Sequence, residues 1–221
     1  MNRQVLSVLL SAALLVGCAT PTPPIAVSNL AASEAFRLTD LRPGKESVQE
    51  GFSYLVTNKA YGKFRIAPTD VQPAPMRLLQ HRIFEALPAD RRSAEVKVHH
   101  FVVYMNMEVM GKGVAAGAVG GLVGALLADA MQAKGQADSI SASDRSAFDA
   151  ATGEQEWMRA IYTSEENPND RVCHIVYIET ELDGKRVFSR HFAEVEAKQN
   201  VALVTVIDES IRKHVEQMMR N

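Results

Sequence analysis

Two β-type runs, Val172 to Leu182 and Lys185 to Glu196, meet at Asp183-Gly184, and no other stretch limits the fold as tightly. A two-residue type I′ turn needs positive φ at both central positions, a demand that Asp-Gly meets. So short a turn also fixes the register: Glu181 faces Arg186, Tyr177 faces Arg190, and Ile175 faces Phe192. The first of these is a favourable opposite-charge pair. An isolated hairpin is barely stable in water, so this one requires further strands and covering helices.

The rest of the chain supplies them. Glu34 to Leu41 has the pattern of a first strand, ended by the breaker Arg42-Pro43-Gly44. Gly51 to Thr57 and Gly62 to Ile66 are short strand candidates on either side of Asn58-Lys59. Pro75 suits a first helical turn, and Met76, Leu79, Ile83 and Leu87 recur at helical spacing until Pro88 stops the helix. Ala94 to Met107 is rich in β-branched and aromatic residues and predicts a long strand. Strand character returns at Gln155 to Thr163. Asn200 can cap a final helix whose Val201, Val204, Ile207, Ile211, Val215 and Met218 form one stripe. The order predicts an α/β chain of the α+β kind, a mostly antiparallel or mixed sheet with two amphipathic helices on one face. A length of 221 residues suits one such domain, residues 34–221, carrying an insertion.

The first residues have a different character. Arg3 precedes an almost unbroken apolar run from Val5 to Val16, about a dozen residues where a bilayer-spanning helix takes roughly 20. Residues 1–17 therefore fit a cleaved signal peptide. Leu15-Val16-Gly17-Cys18 resembles the bacterial lipobox. That resemblance implies cleavage before Cys18, acylation of its thiol, and a chain held on a membrane facing the periplasm. Several acyl chains on one residue anchor firmly, each buried CH₂ contributing about 0.8 kcal/mol. By resemblance to known sorting rules, Ala19 after the cysteine favours the outer membrane. Residues 18–33, with three prolines and no charge, are expected to form an extended lipidated tether.

Charge excludes one class of partner. The formal net charge is −2, and loss of Arg3 with the leader leaves −3. Binding a phosphate backbone needs clustered Lys and Arg, so nucleic acid is not an expected partner. The two cysteines are Cys18 and Cys173. Once the first carries lipid, the second has no internal disulfide partner and is expected to be a small buried hydrophobe.

From Gly111 the sequence reads GKGVAAGAVGGLVGALLADAM, followed by a polar loop, the two together occupying 111–153. Gly113, Gly117 and Gly121 fall four apart, as do Gly120 and Gly124, so a helix here would carry a ridge without side chains. Glycine costs nearly 1 kcal/mol per helix position in water, which calls for compensation by packing or an apolar solvent. The 16 uncharged residues between Lys112 and Asp129 would extend about 24 Å as a helix. Three uses stay open: packing on the protein's own surface, self-association through the ridge, and insertion into the bilayer. The stretch resembles the glycine zippers of other envelope lipoproteins.

No chemistry-bearing motif emerges. The six histidines are His81, His99, His100, His174, His191 and His214, with no HExxH or zinc-type Cys/His spacing among them. His99 and His100, adjacent on a strand, are expected on opposite faces. The hairpin register puts His174 and His191 on one face, diagonally related, which is a weak pair for a metal. There is no GxSxG elbow, P-loop or dinucleotide fingerprint. Ser139, Ser141, Ser143 and Ser146 lie in the polar loop and are expected to be exposed spacer. We expect no catalytic residue, no metal and no cofactor.

The layout as a whole resembles the small domain of the LptE-like, YajG-like and ABC-transport auxiliary lipoproteins. The matching features are a first strand ending in Asp40-Leu41-Arg42, the helix before the Val96–Tyr104 strand, the Asp183-Gly184 hairpin and the amphipathic C-terminal helix. The insertion at 111–153 departs from that pattern. The resemblance implies a non-catalytic envelope accessory that acts through a protein or lipid partner. A self-associating structural lipoprotein, a homo-oligomer packed through its glycine-rich helix in or on the outer membrane, is the alternative.

Overall fold

The computed structural model describes residues 25–44, 46–47, 55–58, 61–108, 137–152, 173–194 and 203–220. The chain runs through β1 (Leu38–Asp40), β2 (Leu55–Asn58), β3 (Tyr61–Arg65), α1 (Pro75–Ala86), β4 (Val96–Glu108), β5 (Ala137–Ala142), α2 (Arg145–Thr152), β6 (Cys173–Leu182), β7 (Lys185–Glu194) and α3 (Leu203–Arg220). Among the described residues the strands form one mixed sheet in the order β2-β3-β4-β6-β7-β5. The long β4 organises it, pairing β6 antiparallel along one side. On its other side β4 holds β1 in parallel at its start and β3 antiparallel at its end. The fold is α+β.

The hairpin forms in the register its turn dictates, with Glu181 opposite Arg186, Tyr177 opposite Arg190 and Ile175 opposite Phe192. Asp183 and Gly184 take φ of 52° and 77°, the left-handed pair of a type I′ turn. Arg186 Nε donates to Glu181 Oε2 at 3.4 Å.

Alternation along the strands sends one row of side chains to each face. On one face Val96, Val98, Phe101, Val103, Met105, Val176 and Ile178 meet the helices, and this is the main core. Leu79, Ile83 and Leu87 of the α1 stripe are buried there, with Met76 half-buried beside them. From α3 come Val204, Ile207, Ile211, Val215 and Met218. A bidentate pair, Arg82 Nε to Asp208 Oδ1 at 2.7 Å and Nη2 to Oδ2 at 3.1 Å, clamps α1 to α3. Burial opposes ionisation of Asp208, but hydrogen bonds from Arg82 and Arg212 outweigh it and hold its carboxyl below the usual range.

The structure corrects several expectations. The segment 135–153 is not a loop, because β5 and α2 lie within it. Ile140 and Ala142 turn to the second face of the sheet while Ser141 stays exposed, a period-two pattern carried by serine instead of charge. Asp144 Oδ1 then accepts the Ala147 N–H at 2.9 Å and starts α2. Phe148 of α2 stacks on Phe188 at 6.0 Å between centroids, over Val102, Tyr104, Cys173, Ile175 and Tyr177. Two helices do share one face, and a third covers part of the other, so the middle of the sheet is buried on both sides. Cys173 is a buried thiol in this second cluster, in no disulfide among the described residues.

The first strand begins only at Leu38, and Leu30–Ser33 is a 3-10 turn. Ser33 Oγ donates to Leu30 O at 2.9 Å and the Phe36 N–H to Ser33 O at 3.1 Å, which curls the backbone before it can extend. The latter part of the extended tether expected over 18–33 is instead docked: Ile25 and Val27 pack against the main core. The expected strands at 51–54 and 155–163, the cap Asn200 with Val201, the leader 1–17 and the glycine-rich stretch 111–131 lie outside the described residues.

Candidate functional site

The residues singled out from sequence as carrying function, Cys18 and Gly113, Gly117, Gly120, Gly121 and Gly124, also lie outside the described residues. Inside them, three buried histidines are set against hydroxyls. His214 of α3 lies between Thr180 Oγ1 on Nε2 and Ser189 Oγ on Nδ1, each at 2.7 Å. Thr180 also donates toward Met218 Sδ at 3.6 Å. Its hydroxyl therefore accepts the Nε2–H, and Ser189 donates to Nδ1. This arrangement suits a neutral ring, and burial pushes the His214 pKa down to about 3.

A second set ties the N-terminal segment to α1. Ser33 Oγ spends its one proton on Leu30 O. It accepts from Arg77 Nη1 at 2.7 Å and from His81 Nδ1 at 3.0 Å. Arg77 Nη2 also donates to Leu30 O, and Gln80 Nε2 donates to Phe36 O at 2.7 Å. His81 Nε2 lies 3.3 Å from Glu85 Oε1, so serine, histidine and carboxylate stand in a row. The row is not a nucleophilic triad. Ser33 is fully buried and has no proton left for His81 to take. It is a clasp.

The third pair reaches the surface. Ser139 Oγ on the edge strand β5 lies 2.6 Å from His191 Nδ1 on β7, with Ser139 exposed and His191 buried. His174 shares that face, opposite Ala193 as His191 is opposite Val176, so the diagonal relation expected from the register holds. Both nitrogens of His174 are buried without a hydrogen-bond partner among the described residues. Burial pushes its pKa down to about 4, which keeps the ring neutral. No group of three or more His, Cys, Asp or Glu among the described residues is placed to hold a metal ion.

His99 and His100 do not project to opposite faces. The β4–β6 register shifts between Val98 and His100, and a bulge of this kind re-aims the side chains beside it. His99 Nε2 lies 2.9 Å from Glu181 Oε2, while His100 sits 6.4 Å from the Tyr177 ring, so both meet the same row of β6. His100 Nδ1 pairs with Glu46, a fully buried carboxylate that also accepts the Phe101 N–H at 3.0 Å. A carboxylate that orients a histidine is general-base geometry. Here the far nitrogen, His100 Nε2, is itself buried and closed to a substrate. Beside it Glu181 collects Lys97, His99 and Arg186, and the Lys97 hydrogen bond foremost, with that of His99, holds its carboxyl down at about 2.

Sequence reasoning missed Glu46, the Ser33 clasp and the bulge. Glu46 follows Arg42-Pro43-Gly44 in a stretch that reads as exposed turn, and nothing local marks its burial. Across the described residues these side chains orient, cap and clasp neighbouring elements. No helix among them is long and apolar enough to cross a membrane. Comparison with known protein families, with curated proteins and with solved structures returns no match.

Proposed function

We propose that the chain is a lipid-anchored accessory or binding protein of the cell envelope, non-catalytic, facing the periplasm from the outer membrane and acting through a protein or lipid partner. The observation that carries this reading is Leu15-Val16-Gly17-Cys18 at the end of a short apolar leader. The interior adds support, since His81 and His214 are spent on holding elements together. The likeness of layout to the LptE-like, YajG-like and ABC-transport auxiliary lipoproteins points the same way. Cys18→Ala should move the protein from the membrane fraction to the soluble fraction, and mild detergent extraction of the wild type should bring a partner with it. A wild-type protein that is soluble, or a Cys18→Ala variant still retained by membranes, contradicts the reading.

The four-residue spacing of Gly113, Gly117 and Gly121, with Gly120 and Gly124, favours a second reading in which copies of the chain self-associate. Gly117→Leu and Gly121→Leu then abolish the crosslinked oligomer. Unchanged assembly removes this alternative.

A further inference from the structure

We propose that the domain hangs from the bilayer by its helical layer, with the surface of residues 25–35 turned toward the lipid headgroups and α2 turned away. The inference rests on the proposed acylation of Cys18 and adds an orientation to it.

The attachment point is set by the docked segment. Ile25 and Val27 pack against the main core, and the Ser33 clasp to Arg77 and His81 ties the turn that follows to α1. A free tether of sixteen residues would let the domain tumble. Docking at Ile25 leaves only the stretch from Cys18 to Ile25, whose contour is at most about 25 Å at 3.3–3.6 Å per residue. A folded domain of this length measures about 40 Å across. The second face of the sheet, under α2, lies on the opposite side from the main core that Ile25 joins. A leash shorter than the domain is thick cannot carry that opposite face round to the membrane. The apposed surface suits close approach: Ala26, Ser28, Ala31, Ala32 and Ala35 are exposed, small and uncharged, and Glu34 is the one charge in 25–35. Small neutral side chains set neither bulk nor strong like-charge repulsion against headgroups.

The test uses the full chain, processed and acylated by the expressing cell, in vesicles of phosphatidylethanolamine and phosphatidylglycerol carrying a headgroup-linked energy-transfer acceptor. Single reporters are placed by Ala31→Cys or Ala150→Cys, both exposed positions. The native thiols do not compete, because Cys173 is buried and Cys18 carries lipid. Transfer should be several-fold more efficient from position 31 than from position 150, and a flexible Gly/Ser insertion between Pro24 and Ile25 should erase the difference. Equal transfer in the parent chain, a reversed order, or a difference untouched by the insertion overturns the orientation. Bound vesicles with no difference sink this inference alone, whereas a chain that does not bind vesicles sinks the anchor reading and this one together.

Discussion

His214 Nδ1 lies 2.7 Å from Ser189 Oγ, beneath α3 and out of contact with water. The opposite ring nitrogen meets Thr180, so a single neutral imidazole joins the last helix to both strands of the central hairpin. His174, six residues before Thr180 on the same strand, is equally buried.

Both rings have pKa values depressed by burial, to about 3 for His214 and about 4 for His174. In the unfolded chain each titrates near 6.5. Below pH 6.5 the unfolded state therefore takes up protons that the folded state refuses, and stability falls with falling pH. The slope approaches about 1.4 kcal/mol per pH unit for each histidine. Above pH 6.5 these two groups contribute no pH dependence. Urea midpoints measured between pH 7 and pH 5 should drop steadily, and a flat profile would show that the rings are solvated.

The two histidines should respond oppositely to replacement. His174→Leu removes a ring without hydrogen bonds in the described structure, so at pH 7 it should be neutral or stabilising and should remove about half of the acid-side slope. His214→Leu strands Thr180 and Ser189 in the core, at about 1–3 kcal/mol for each group left unsatisfied. Denaturation of the two variants side by side checks the contrast.

Phe148 is the buried anchor of α2, fully enclosed against Phe188. A helix of eight residues has no stability of its own in water. Phe148→Ala should cost about 3–5 kcal/mol and release amide-exchange protection across 137–152 before the hairpin and α3 are affected. Uniform loss of protection throughout the chain would mean that α2 is integral to the main core.

The parts of this fold legible in the sequence are those with a strong period or a demanding turn. Asp183-Gly184 set the hairpin register, and the stripe of α3 could be traced from Val204 to Met218 because it repeats over four turns. Where a pattern was short or used neutral residues, it was lost. Ser139-Ile140-Ser141-Ala142 alternates, but serine reads as loop as readily as strand, and α2 is too short to show a helical period. The bulge at His99 has no local signature, so adjacency alone predicts opposite faces for His99 and His100. Ile25 and Val27 sit in a Pro/Thr-rich stretch whose composition suggests a tether, and only their tertiary contact with the main core shows that it docks. Glu46 could not be found at all, since its burial depends on β4 arriving from far along the chain.

Membrane attachment turns on what happens at Cys18, and the intact mass of the protein extracted from membranes reads this directly. The expected product lacks residues 1–17 and is heavier by the diacylglyceryl and acyl groups on its first residue. A product that retains the leader, or that begins at an unmodified Cys18, contradicts this attachment.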